Sequence, residues 1–167
     1  ADFIRAMKEG RDPHGRNYFP VFPYIYFAKV SDEDIKALYA YFMSIPAVKQ
    51  ENKSLPFPFN VPGARLSLIG WNLLFFYPMD TNITEDKTRS PEWNRGKYIV
   101  DGLGHCSMCH TPLNPFGSPK MRYYLTGGFI DGYWAPNITK LGLETATHEE
   151  VTHIFKNNQL INNAGPV

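Results

Sequence analysis

The chain's two cysteines stand in the run Cys106-Ser107-Met108-Cys109-His110, with a histidine directly after the second. Thiols three positions apart lie about one helical turn from each other, so both can add to the two vinyl groups of a protoporphyrin as thioethers. The histidine that follows then reaches the iron with a neutral imidazole nitrogen. Two other chemistries use a Cys-x-x-Cys pair. A structural zinc site wants four ligands at regular spacings, yet there is no second cysteine pair and His105 abuts Cys106 too tightly to complete a set. A redox dithiol sits in a strand–helix context with Val/Ile-rich strands, which these flanks lack. The expected chemistry is covalent attachment of one haem c through Cys106 and Cys109 with His110 as axial iron ligand, and zinc or dithiol chemistry is the alternative.

A second group of candidates lies in Gly132-Tyr133-Trp134-Ala135-Pro136-Asn137-Ile138-Thr139. The phenol of Tyr133, the indole N–H of Trp134 and the amide of Asn137 are donors of the kind a buried haem propionate requires. Ordinary turn chemistry with aromatic packing is the competing reading of each.

The elements that would position these groups are short. The 167 residues suffice for one ordinary domain or two small ones around a haem. Twelve Phe, ten Tyr, 14 Pro and 13 Gly suit short helices joined by shaped loops over a flat apolar group. The net charge of +1 gives no case for nucleic acid. No positively charged leader with an apolar run opens the sequence, so the export that thioether attachment entails is expected to rely on a leader outside these residues. The most apolar window, Leu66 to Met79, is short and carries Asn72, and does not read as a membrane span.

Phe3, Ala6 and Met7 predict a helix that Gly10 stops. Residues 11–30 read as a loop. Ser31 caps a helix with Asp32, Glu33 and Asp34 in its first turn, and Ile35, Leu38, Tyr39 and Phe42 form the predicted buried stripe before Pro46 closes it. Asn60 and Pro62 open a helix over about 63–76 with Leu66, Ile69, Leu73 and Phe76 on the buried face. Ser90 and Pro91 start another, lined by Trp93, Gly96, Val100 and Leu103, where mid-helix Gly96 suggests a close crossing. Residues 111–139 read as loop, and Thr147 with Glu150 as the capping box of a last helix carrying Val151, Ile154 and Phe155. That helix and residues 2–10 share apolar positions (151, 154, 155 on 3, 6, 7), a weak internal repeat.

Trp93 to Val100, His105 to Pro112 (HCSMCHTP), Gly127-Gly128, Ala135 to Thr139, Tyr18 to Tyr24 and Ser31 to Tyr41 (SDEDIKALYAY) together resemble the multi-haem cytochrome c subunits of membrane-bound dehydrogenases acting on alcohols, aldehydes, sugars or gluconate. The resemblance implies an all-α fold of cytochrome c-like helices with long Pro/Gly/aromatic loops around the haem. It divides the chain into 1–48, the C-terminal part of a cytochrome c-like domain without its own CxxCH; 49–90, a linker with one helix; and 91–167, a haem c domain without its final helix. The family's axial methionine falls on Phe22 in the first part, and for the second it is expected after Gly165-Pro166 and beyond Val167.

An open or water-filled sixth iron position is the expectation, and of the five methionines Met121 is the alternative ligand. Met108 lies inside the attachment loop, Met79 in another loop, and Met7 and Met43 on helices where core packing is the commoner role. The unpartnered stripes of helices 31–44 and 91–103 predict that residues 1–48 complete the second domain, within one chain or by exchange in a domain-swapped dimer. The implied function is electron transfer from a periplasmic-side dehydrogenase subunit to quinone or a further cytochrome, in the periplasm or at the outer face of the bacterial inner membrane, with membrane association only through the complex. A peroxidase-like enzyme and a ligand-binding haem module, both needing an open sixth position, are the alternatives.

Overall fold

The computed structural model describes residues 1–51, 53, 55–61, 63–77, 79–81 and 83–157. The expectations for Pro62 and for Gly165-Pro166-Val167 lie outside the described residues. The chain divides into two compact units, Ala1–His105 and Cys106–Val167. It is mostly helical, with one short β-hairpin that an all-α expectation does not contain.

In the first unit, helix α1 (Asp2–Glu9) ends at Gly10, whose φ of 63° is the left-handed conformation that glycine tolerates. A Cβ there would lie 2.5 Å from the Tyr24 ring, so the same glycine admits a close aromatic neighbour. The following loop is organised by Asp12, which accepts from the N–H groups of His14 and Arg16, both at 2.9 Å, and from Arg16 Nε at 2.6 Å. Burial pushes the Asp12 carboxyl up, and these donors outweigh it, so the group is held below the usual carboxylate range. The predicted loop 11–30 contains a one-turn helix, α2 (Tyr24–Phe27), with Tyr24, Ile25 and Tyr26 buried. Burial of three apolar side chains in one turn outweighs the Pro/aromatic composition that reads as loop.

Helix α3 (Asp32–Ser44) is capped as predicted: Asp34 N–H donates to Ser31 Oγ at 3.1 Å. Lys8 Nζ donates to Asp32 at 2.9 Å and to the Val30 carbonyl at 3.1 Å, fastening the end of α1 to the start of α3. The hydrogen bond and charge of Lys8 hold the Asp32 carboxyl below its usual range. Met7, Val30 and Ile35 form the core, with Phe3, Ile4, Phe22, Phe27, Leu38, Tyr98 and Leu103 packed around them. Of the predicted stripe only Ile35 is buried. Tyr39 and Phe42 lean on Phe3 (centroids 5.2 and 6.2 Å away) and keep 47% and 48% of their surface in solvent.

The segment 63–76 departs most from its pattern. It begins as a 3-10 turn (Ala64–Leu66), becomes α4 (Ser67–Trp71) and widens into a π-helical turn over Asn72–Phe76. The buried positions are Leu68, Asn72 and Phe76, while Leu66, Ile69 and Leu73 are exposed. An asparagine takes the inward place because Tyr24 Oη donates to its Oδ1 at 2.6 Å and its Nδ2 donates to Asn17 Oδ1 at 3.3 Å. A buried polar pair with its hydrogen bonds made costs little, so this contact rather than apolar spacing sets the buried face.

Helix α5 (Pro91–Tyr98), capped by Ser90 Oγ, runs into a π-helical turn over Ile99–Leu103. The predicted close crossing is at Gly102, not Gly96. A Cβ on Gly96 would meet nothing within 4 Å, whereas one on Gly102 would lie 3.2 Å from Val30 Cγ2. Tyr98 joins this helix to α3, donating to Asp34 Oδ2 at 2.6 Å and accepting from Ser31 N–H at 2.9 Å. Leu38 of α3, Tyr98 of α5 and Leu103 of the π-helical turn pack on the core to which Ile35 belongs.

In the second unit α6 (Ser107–His110) is followed by a turned segment, the antiparallel pair β1 (Gly128–Ile130) and β2 (Tyr133–Ala135), and α7 (His148–Asn157). Residues 111–139 are thus only partly loop. The capping box of α7 closes both ways: Thr147 N–H donates to Glu150 Oε2 at 2.8 Å and Glu150 N–H to Thr147 Oγ1 at 3.2 Å. Val151 and Ile154 are half-buried and Phe155 is exposed.

Candidate haem attachment site

His105, with φ at 36°, turns the chain into the motif. Cys106 to His110 then wind into a single helical turn in which the N–H of His110 donates to the Cys106 carbonyl at 3.0 Å. Both thiols are half-buried and not bonded to one another. Two hydroxyls that sequence reasoning missed hold this turn from behind. Ser107 Oγ and Thr111 Oγ1 are 2.7 Å apart, both side chains are fully buried, and Thr111 Oγ1 accepts from Leu125 N–H at 3.0 Å. They occupy i and i+4 on the side of the turn away from solvent, a spacing visible in the sequence once the turn is known to be helical.

The hairpin is built against the same turn. Gly127 N–H donates to the His110 carbonyl at 2.8 Å. A Cβ on Gly128 would lie 2.5 Å from the Cys109 carbonyl oxygen, so only glycine lets β1 come this close. The chain leaving the return strand brings the Pro136 carbonyl oxygen to 2.7 Å from His110 Nδ1. A carbonyl can only accept, so Nδ1 carries the proton and Nε2 keeps its lone pair for a metal. Ile138 N–H donates to Leu125 O at 3.0 Å and closes the loop around His110.

The predicted propionate donors do not form one group. Tyr133 and Trp134 are successive residues of β2, so their side chains leave opposite faces of the hairpin. Trp134 lies over Gly127, with Cζ2 3.1 Å from where a Cβ would stand, and Tyr133 is exposed. Asn137 uses its Oδ1 locally, accepting from Thr139 N–H at 2.9 Å and Thr139 Oγ1 at 2.7 Å. Met121 begins a 3-10 turn (Met121–Tyr123) of the same unit and is exposed. Met79 belongs to the first unit, Met7 is core there and Met43 is exposed. Phe22, where a ligating methionine was expected, packs on the Met7/Val30/Ile35 core.

These residues fit a covalently held haem. Two thiols share one helical turn, and the adjacent imidazole has its tautomer fixed for Nε2 ligation. In addition, among the described residues the buried hydrophobic side chains all lie in Ala1–His105, and the buried side chains of the second unit are the polar Ser107, Thr111 and Ser118. A unit this small needs a core from another source, and a large apolar prosthetic group is one. No group of three or more His, Cys, Asp or Glu able to hold a metal ion occurs among the described residues, which leaves the zinc alternative without a ligand set.

No protein-family model matches the chain. It is 44% identical over 153 residues to a nicotinate dehydrogenase subunit of Pseudomonas putida, covering 90% of this chain and 12% of that protein. It is 38% identical to the fructose dehydrogenase cytochrome subunit of Gluconobacter japonicus, covering 82% of this chain and 28% of that one. With the cytochrome c subunit of alcohol dehydrogenase (quinone) from Gluconobacter oxydans it shares 33% identity, over 98% of this chain and 36% of the relative. The chain thus spans well under half the length of these relatives.

Proposed function

The chain belongs to the family of dehydrogenase cytochrome c subunits, and from that premise we propose that it relays electrons from a dehydrogenase subunit to quinone or a further cytochrome through one covalently bound haem c. Such a group supplies a one-electron iron couple when bound. Cys106 and Cys109 would hold it, each S–H adding across a vinyl bond, and His110 would ligate the iron through Nε2. The Pro136 carbonyl keeps the proton on Nδ1 and fixes the ring's orientation. This hydrogen bond, next to two thiols on one turn, is the observation that carries the reading.

Tyr133, Trp134 and Asn137 remain the proposed propionate donors. Met121, in the same unit, is the residue whose thioether would serve as a second protein ligand to the iron. Leu38 and Leu103 pack on the core that contains Ile35, which supports residues 1–48 completing a haem domain, within the chain or by exchange between two chains. The periplasm or the outer face of the inner membrane is the proposed location. None of the described helices is long and apolar enough to cross a membrane.

Optical spectra of the purified holoprotein test the reading. A reduced low-spin species that does not bind CO and is reoxidised by a soluble quinone supports the relay. High-spin iron that turns over peroxide rejects it.

A further inference from the structure

Outside the attachment site, a cavity of about 330 Å³ lies in the first unit, lined by Lys8, Arg11, Ala28, Phe76, Tyr77 and Met79 among others. Its volume is within the range of small-molecule sites. Its floor is apolar, from Ala28 and Phe76, both buried, with the half-buried Met79 beside them. Its polar groups are mainly donors. Arg11 Nη2 donates to Tyr77 Oη at 2.9 Å. The phenol oxygen is thereby the acceptor of that bond, and its own O–H hydrogen remains to donate elsewhere. Lys8 uses two N–H groups on Asp32 and Val30 and retains a third.

The charges are unequally compensated. Arg5, Lys8, Arg16 and Arg95 are paired with Asp2, Asp32, Asp12 and Asp34. Arg11 is within ion-pair distance of no carboxylate among the described residues, and Glu9, the acidic residue of the lining, is exposed. A guanidinium whose hydrogen-bond partner is a phenol, with that phenol's own hydrogen available, presents two adjacent donors to one anionic group.

We propose that this cavity binds a small organic anion, a carboxylate on a flat apolar body, with the carboxylate on Arg11 and Tyr77 and the body against Phe76 and Met79. The proposal does not rest on the relay reading. The cationic donors distinguish this ligand from a neutral ring carrying a carbonyl, which gains less from a guanidinium.

The experiment titrates benzoate into the holoprotein, followed by calorimetry and by ligand-observed NMR, with benzamide as the neutral isostere. Expected is saturable binding of one benzoate, weakened about tenfold or more by Arg11→Gln, by a smaller factor by Tyr77→Phe, and about tenfold weaker for benzamide. Thermal unfolding of each variant checks the fold. Should Arg11→Gln not fold, Tyr77→Phe and the benzoate/benzamide ratio decide. Absence of saturable binding, equal affinity for benzamide, or unchanged affinity in the folded variants overturns the proposal.

Discussion

His110 and Pro136 are joined across 26 residues by a 2.7 Å contact between the ring Nδ1 and a backbone carbonyl. The imidazole is thus fixed by the hairpin and not by its own helical turn, and the hairpin is in turn held by the one glycine whose backbone touches Cys109. Gly128→Ala places a methyl group against that carbonyl. It is expected to destabilise the second unit by about 1–3 kcal/mol, as overpacking does, and to lower the yield of attached haem. Haem-to-protein ratio and thermal unfolding check it, and a variant with wild-type values for both would show that the hairpin does not position His110.

Gly96→Ala should behave oppositely. With nothing within 4 Å of the added methyl, the helix gains about 0.5–1 kcal/mol from alanine's lower conformational entropy cost. A raised urea midpoint at unchanged slope is the expected result.

Tyr24 and Asn72 should be coupled. Tyr24→Phe removes the phenol that Asn72 meets at 2.6 Å and leaves a side chain that is 1% exposed short of one hydrogen bond. The expected loss is about 1–3 kcal/mol. Replacing both, as Tyr24→Phe with Asn72→Leu, should recover part of it in a double-mutant cycle. Burial pushes the Tyr24 phenol well above its ordinary range, so its absorbance should not titrate with the other tyrosines before alkaline unfolding.

Acid should weaken the first unit. The carboxyls of Asp12 and Asp32 are held below their ordinary range, Asp12 by the donors that outweigh its burial and Asp32 by Lys8. A carboxyl lowered in the folded state contributes stability above its unfolded pKa and loses it as pH falls through the folded value. Stability is therefore expected to decline below about pH 4, and Asp12→Asn should flatten that decline in urea titrations.

Much of this was legible in the sequence, for physical reasons specific to each element. The caps at Ser31, Ser90 and Thr147 depend on local hydrogen bonds, and local spacing reveals them. The attachment turn is equally local, with its three functional side chains within five residues. Of the face predicted for 63–76, Phe76 is buried as expected, but the inward places of Leu68 and Asn72 were not legible, because a contact 48 residues away makes Asn72 an interior residue. Likewise Gly102 rather than Gly96 marks the close approach, since the neighbour, Val30, comes from another part of the chain. Ser107 lies between the two cysteines and Thr111 just after His110, neither being a residue that the attachment chemistry needs, and only the fold shows that they brace the turn.

The central claim is that Cys106 and Cys109 carry haem covalently, and acid–acetone extraction followed by intact-protein mass measurement tests it most directly. The chain, matured in an exporting host, is expected to keep its haem through extraction and to be heavier by one haem. The double variant Cys106→Ser/Cys109→Ser should lose it to the acetone. Complete loss of haem from the unaltered chain, or an unmodified mass, would contradict the account.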